Sequence, residues 1–157
     1  MSGFVATPPA PHSPPGAVVE ADGWFPPVDV NAIRNKIRLR GEVPHERLVG
    51  AIEGAIITVL GELAEWQAGH VAAGIESLAD VNDRQLAGRN RLELLFERAV
   101  RYAAAAELSD LARDMTATND ALQRIDEESS PAREMHRLST IAIRDILGVT
   151  RCVSELI

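Results

Sequence analysis

The stretch PHERLVGAIEGAIITVLGELAEWQA, residues 44–68, decides the fold. Its large apolar residues recur mostly at three- and four-residue steps, which is the repeat of one helix face. They are Leu48, Ile52, Ala55, Ile56, Val59, Leu63 and Trp66. Pro44 suits the first turn of a helix, and Glu46 lies where the helix dipole favours a carboxylate. The pattern predicts one helix of about 24 residues, roughly 36 Å long at about 1.5 Å per residue.

The opposite side of this helix carries several small residues and is not an ordinary solvated face. At about 100° per residue, five of its residues fall together roughly half a turn from the apolar stripe. They are Gly50, Gly54, Ile57, Gly61 and Ala68. A glycine inside a helix costs about 1 kcal/mol relative to alanine. Either this destabilisation is merely tolerated, or the glycines let another element pack closely against the helix backbone, and we favour close packing. We expect this side to contact a second helix, either of the same subunit or across a subunit interface.

Three further helices are predicted besides this one. Apolar spacing and capping residues predict them over about 30–40, about 90–114 and about 131–147. In the second of these, Glu97 and Arg101 lie four residues apart, a spacing that predicts an ion pair on the helix flank.

Proline sets the start of the chain apart. Seven of the nine prolines lie within the first 27 residues, a stretch without Lys or Arg and without regular periodicity. This composition predicts an extended arm. Trp24 and Phe25 lie near its end, and a disordered tail seldom carries such a pair. They either fold back on their own domain or dock on a neighbouring chain.

The end of the chain is apolar. Residues 149–157 are rich in β-branched side chains and finish on Ile157. A free tail rarely has this composition, so the segment either packs back on its own helices or docks on a partner.

Together these segments predict an all-α fold: a small bundle of about four helices with an extended Pro-rich N-terminal arm and an extended C-terminal tail. The expected division is 1–28 for the arm, 29–148 for the helical domain and 149–157 for the tail. Residues 74–88 and 116–130 are expected to form a loop and a polar connection.

The net charge and the cysteine content exclude several classes of function. Acidic residues outnumber basic ones by 23 to 16, and the net charge of −7 disfavours nonspecific nucleic-acid binding by the whole surface. A single cysteine, Cys152, cannot form an internal disulfide, and the chain shows no charged-then-apolar leader. No apolar stretch approaches the roughly 20 residues that span a bilayer. We therefore expect a protein made in the cytosol, without a membrane segment.

Catalytic and ligand-binding patterns are not found. No serine lies in a nucleophile elbow, and no two of the four histidines have the spacing of a metal-binding helix face. Lys36 is the only lysine and does not follow a glycine-rich phosphate loop. We expect no enzyme activity, no metal and no cofactor.

One local concentration of positive charge lies at the first predicted helix. It comprises Arg34, Lys36, Arg38 and Arg40. The four residues either form a solvated face or contact phosphate or carboxylate groups of DNA or an acidic partner. No aromatic residues are interleaved with them, which argues against sequence-specific base reading.

The order and spacing of these segments resemble the head completion, or head stabilisation, proteins of Peduovirus-type contractile-tailed bacteriophages. The likeness covers roughly 29–157. It is carried by residues 29–39, 47–66, 72–74, 78–81, 96–100 and 151–157. The terminal block that begins Arg151-Cys152 is its most distinctive piece.

This resemblance implies a structural virion protein. Such a connector joins the DNA-filled capsid, binds the portal vertex as a ring, prevents DNA escape and provides the platform for the tail. The implied partners are the portal protein, a tail terminator or other neck protein, further copies in a ring of twelve that matches the portal, and packaged double-stranded DNA near the lumen. The implied location is the head–tail junction of the virion, and the host cytoplasm during assembly.

Under this interpretation the C-terminal tail is the portal-docking segment. The residues expected to bind the portal are Arg151, Cys152, Val153, Ser154, Leu156 and Ile157. The alternative function is a small cytosolic helical DNA-binding or DNA-packaging factor that touches DNA through the helix at about 30–40. Salt-dependent binding of the isolated monomer to duplex DNA is expected only of this alternative.

Overall fold

The computed structural model describes residues 12–37, 43–116 and 131–149, with the side chains of the 91–116 helix described as far as Leu111. Within these residues the fold is mostly helical and also contains two small antiparallel strand pairs. The elements are β1 (Val18–Val19), β2 (Val28–Asp29), α1 (Val30–Lys36), α2 (His45–Ala72), a 3-10 turn (Leu78–Val81), β3 (Gln85–Leu86), β4 (Arg89–Asn90), α3 (Arg91–Thr116) and α4 (Pro131–Leu147). The helical class predicted from the sequence is confirmed, and the strand pairs are an addition to it.

Helix α2 is the longest element, with 28 residues. It begins after Pro44 as expected and continues through Gly69 to Ala72, so it is somewhat longer than predicted. The predicted apolar stripe faces the core: Leu48, Ile52, Val59 and Leu63 are fully buried, and Trp66 packs at the edge. The regular spacing of the apolar residues therefore predicted the position of this helix correctly.

Helices α2 and α3 pack antiparallel. Gly54 of α2 lies beside Glu107 of α3, whereas the C-terminal part of α2 meets the N-terminal part of α3 through an aromatic cluster. Helix α4 covers another side of α3, where the buried hydroxyl of Ser139 donates a hydrogen bond of 2.9 Å to the carbonyl oxygen of Ala99. Small side chains allow α3 this double coverage, and the four successive residues Ala103 to Ala106 are all buried.

The aromatic pair near the N-terminus folds back on its own domain. Trp24 and Phe25 are 8% and 2% exposed. The Trp24 indole donates a 3.0 Å hydrogen bond to the carbonyl oxygen of Ile75, and the Phe25 ring stacks on Phe96 at a centroid distance of 4.8 Å. Of the two alternatives for the pair, the structure shows packing within the subunit.

The expected extended arm is corrected over residues 12–28. Strand β1 pairs with β2, and the amide of Asn31 donates to the carbonyl oxygen of Pro14 at 2.8 Å. These residues pack on the helices because the free energy gained by burying the Trp24 and Phe25 rings exceeds the conformational entropy lost when the segment is ordered. Residues 1–11 of the predicted arm lie outside the described part of the structure.

The segment predicted as a loop over 74–88 contains a 3-10 turn and leads into a β-hairpin. Ala87 and Gly88 connect β3 to β4 with φ angles of 53° and 75°. Positive φ at both central residues is the pattern of a type I′ turn, for which Asn-Gly is the usual sequence. Alanine at the first position hid this hairpin from the sequence pattern.

Helix α1 ends at Lys36, earlier than the predicted end near residue 40, because Ile37 has extended backbone angles of φ −100° and ψ 128°. The predicted connection over 116–130 lies almost wholly outside the described residues. None of the described helices is long and apolar enough to cross a membrane.

Candidate assembly surfaces

The side of α2 that faces away from the core is open. Gly50, Ile57 and Gly61 are exposed, and Ile57 reaches 72%. A Cβ atom added at Gly50 or Gly61 would meet no atom of the described residues within 4 Å. No described helix of the same subunit therefore packs on these two glycines, and the predicted subunit interface stays a prediction. We call Gly50, Glu53, Ile57, Gly61 and Glu65 the α2 outer face.

Gly54 differs from the other two glycines. A Cβ atom at this position would lie 2.9 Å from the Glu107 carboxylate oxygen Oε2. The missing side chain thus lets the end of Glu107 approach the α2 backbone. Partial burial raises the pKa of the Glu107 carboxyl above its ordinary value. This contact is within the subunit, so at Gly54 the neighbour is a side chain of helix α3. A role of Gly54 in a subunit interface stays a prediction.

The structure describes two of the four residues in the predicted basic cluster, and both contact other parts of the subunit. Arg34 points into the subunit: its guanidinium donates to the carbonyl oxygen of Val43 at 2.9 Å and to the hydroxyl of buried Ser13 at 3.2 Å and 3.3 Å. Lys36 forms an ion pair with Glu97. Arg38 and Arg40 lie outside the described residues. The described half of the cluster therefore fastens the N-terminal segment and α1 to the rest of the domain.

Glu97 is the centre of a small ion-pair network between α1, β4 and α3. Its carboxylate pairs with Lys36 and, at 2.9 Å, with Arg89. Burial alone would raise the pKa of Glu97, but the hydrogen bonds and positive charges of Lys36 and Arg89 outweigh burial and hold the pKa below its ordinary value. The predicted pair between Glu97 and Arg101 is not formed, so that expectation was wrong.

Arg101 instead belongs to a cationic and aromatic surface on α3. The guanidinium carbons of Arg98 and Arg101 lie 5.6 Å and 4.9 Å from the centre of the Tyr102 ring. These are cation–π distances. The Nε atom of Arg101 is buried and has no hydrogen-bond partner among the residues that the structure describes. We call Arg91, Leu94, Arg98, Arg101 and Tyr102 the α3 outer face.

No arginine of the α3 outer face forms an ion pair with a residue that the structure describes. The sequence did contain a signal for this surface, because Arg91, Arg98 and Arg101 are seven and three residues apart and therefore share one side of a helix. The expected pairing of Glu97 with Arg101 concealed it.

The C-terminal segment is described only at its start. Val149 is 47% exposed, and its amide donates to the carbonyl oxygen of Arg144 at 3.1 Å. The six residues expected to contact the portal, within 151–157, lie outside the described part of the chain. Among the described residues no group of three or more His, Cys, Asp or Glu side chains is arranged to hold a metal ion.

Comparison with known proteins agrees with the resemblance found in the sequence. Residues 19–157 match the family described as phage head completion protein (GPL). A curated relative, the head completion/stabilization protein of Escherichia phage P2, is 31% identical over 136 residues, which cover 87% of this chain and 80% of the relative. No solved structure matches significantly. Head completion is a structural role and implies a component of the virion. With a match over nearly its whole length, the chain belongs to the phage head completion protein family.

Proposed function

We propose that the protein is a head–tail connector adaptor. It binds the portal vertex after DNA packaging, stabilises the filled head and provides the surface on which the tail attaches. The observation that carries the proposal is the family match over residues 19–157. A capsid that has been filled through one opening is completed at that opening, so a head completion protein acts where DNA entered.

The location favours a ring. A portal with rotational symmetry offers one equivalent site per subunit, and copies bound at such sites lie in a circle. The open α2 outer face, with Ile57 exposed, supports contact between neighbouring copies because exposed apolar groups flanked by small residues suit close association. Twelve copies would match a portal of twelve subunits. The tail terminator or another neck protein binds the opposite rim, and packaged DNA lies near the lumen.

In this proposal the C-terminal tail anchors the adaptor to the portal. Val153, Leu156 and Ile157 supply apolar side chains for a groove or a strand edge, and Arg151 supplies a charge-assisted contact to an acidic surface. Cys152 and Ser154 lie within the same segment. We do not propose the alternative DNA-binding role for the basic cluster, because Arg34 and Lys36 already have partners within the subunit.

Purified DNA-filled heads that lack this protein test the proposal. Added protein should co-sediment with the heads and protect their DNA from nuclease. Deletion of residues 150–157 should abolish both effects and leave the melting temperature nearly unchanged. A truncated protein that still binds and protects would refute the anchor, and full-length protein that neither binds nor protects would refute the connector function.

A further inference from the structure

We propose that the α2 outer face of one copy docks on the α3 outer face of the next copy. The inference rests on the proposed function, since it names the two surfaces whose repeated contact would build the ring. The occupant of each surface is a second copy of this chain.

Charge complementarity is the first argument. Glu53 and Glu65 are exposed on the α2 outer face and form no ion pair with described residues. The α3 outer face carries Arg91, Arg98 and Arg101, equally unpaired among the described residues. Copies with a net charge of −7 repel each other at most orientations, so an attraction between two opposite patches selects one orientation.

The position of the two faces is the second argument. In α2, Ile57 lies roughly half a turn from the buried stripe; in α3, Arg98 lies roughly half a turn from Phe96 and Val100, which are buried. Since α2 and α3 pack together through their buried sides, their outer faces point away from each other. When two different surfaces on opposite sides of a subunit bind each other, each added copy leaves one surface free for the next copy. The chain of copies closes into a ring if the rotation between neighbouring copies divides a full turn evenly.

The shapes of the two faces agree in one register. Within the subunit, Gly54 of α2 lies at about the same height along the helix axes as Glu107 of α3, and the two helices are antiparallel. Copies related by rotation about an axis along the helices keep these levels, so Gly61 of one copy comes within about two residues, or roughly 3 Å, of the level of Tyr102 of the next. The same register brings Glu65 to Arg98. The open space over Gly61 can receive the Tyr102 ring, because glycine has no Cβ atom and no side chain of the described residues occupies this space.

Disulfide trapping of the purified full-length protein tests this contact. In a Cys152→Ser background, Ala68→Cys and Leu94→Cys are prepared as separate variants, which leave every charged residue of both faces intact. In the proposed register these positions face each other across the contact. Under mild oxidation each variant alone should stay monomeric, whereas their mixture should give a covalent dimer. The mixture of Ala68→Cys with Arg133→Cys, on the exposed surface of α4, is the matched control and should give none.

Charge reversal then separates specific docking from random collision. Arg98→Glu or Glu65→Arg, introduced into both members of the mixture, should each lower the dimer yield by about fivefold, because an attractive pair becomes a repulsive one. The two reversals together should restore the yield, and Arg133→Glu should not change it.

Three results would overturn the inference: no dimer in the mixture, dimers from either variant alone, or no restoration by the charge swap. Binding of a short DNA duplex that is lost in Arg98→Glu, without any trapped dimer, would assign the α3 outer face to nucleic acid instead. The trapping uses no heads, so its failure is distinct from a failure of the connector function, which the co-sedimentation of protein with filled heads reports.

Discussion

Replacement of Phe25 by alanine measures how firmly the N-terminal segment is bound to the helices. The Phe25 side chain is 2% exposed, and its ring is stacked on Phe96 at an angle of 29°. Removal of a fully buried phenylalanine ring costs about 3–5 kcal/mol, which includes the cavity that remains. Part of that cost is the aromatic pair, which contributes about 0.5–1.5 kcal/mol beyond area burial. We expect Phe25→Ala to lower the free energy of unfolding by about 4 kcal/mol.

Urea denaturation followed by helical circular dichroism provides the measurement. With a denaturant slope of about 2 kcal/mol per molar, the unfolding midpoint should fall by about 2 M. Ile57→Ala is the control, because a side chain that is 72% exposed should change stability by less than about 0.5 kcal/mol. If Phe25→Ala does not fold, Phe25→Leu should still show a loss of about 1 kcal/mol. A loss for Phe25→Ala no larger than that of the Ile57 control would refute the packing of this segment in solution.

Two further changes test the turn and the ion-pair network. Ala87→Asn should stabilise the protein by about 0.5–1 kcal/mol in urea denaturation, because asparagine tolerates the positive φ that strains alanine; an unchanged or lower midpoint would contradict the type I′ assignment. Glu97 has a lowered pKa, so its pairs with Lys36 and Arg89 contribute stability above the ordinary carboxyl value of 4.5, and that contribution is lost as the pH falls below it. The melting temperature of Glu97→Gln should therefore depend less on pH across this acid range than that of the native protein, and equal slopes would argue against the network.

The sequence predicted those parts of the fold that depend on local periodicity. The stripe from Leu48 to Leu63 follows one helix face over several turns, so its side chains had to share a buried side whatever packed against them. The hairpin at Ala87 was missed because its turn lacks the residue type that usually marks it.

Surface roles were harder to predict, because they depend on partners that are distant in the chain. Local spacing assigned Glu97 to Arg101, but Glu97 pairs with Lys36, 61 positions away, as well as with Arg89. Arg34 was grouped with a cationic cluster, yet its guanidinium donates to Ser13, 21 positions away. Neither contact has a sequence signal, since tertiary packing alone brings these residues together.

The buried run from Ala103 to Ala106 limits how this gene can vary. Successive residues of a helix point about 100° apart, so four of them sample the whole circumference of α3. Their exposures of 9%, 0%, 2% and 0% show that each of these four side chains is covered, unlike those of the α3 outer face nearer the start of the helix. A single-base change can convert an alanine codon to a valine codon. An ordinary surface helix would accept the larger side chain on its outer side, but at these four positions the added methyl groups would collide with neighbouring atoms. Substitutions that enlarge these side chains are therefore expected to destabilise the protein, and alleles that fail only at high temperature are expected among them.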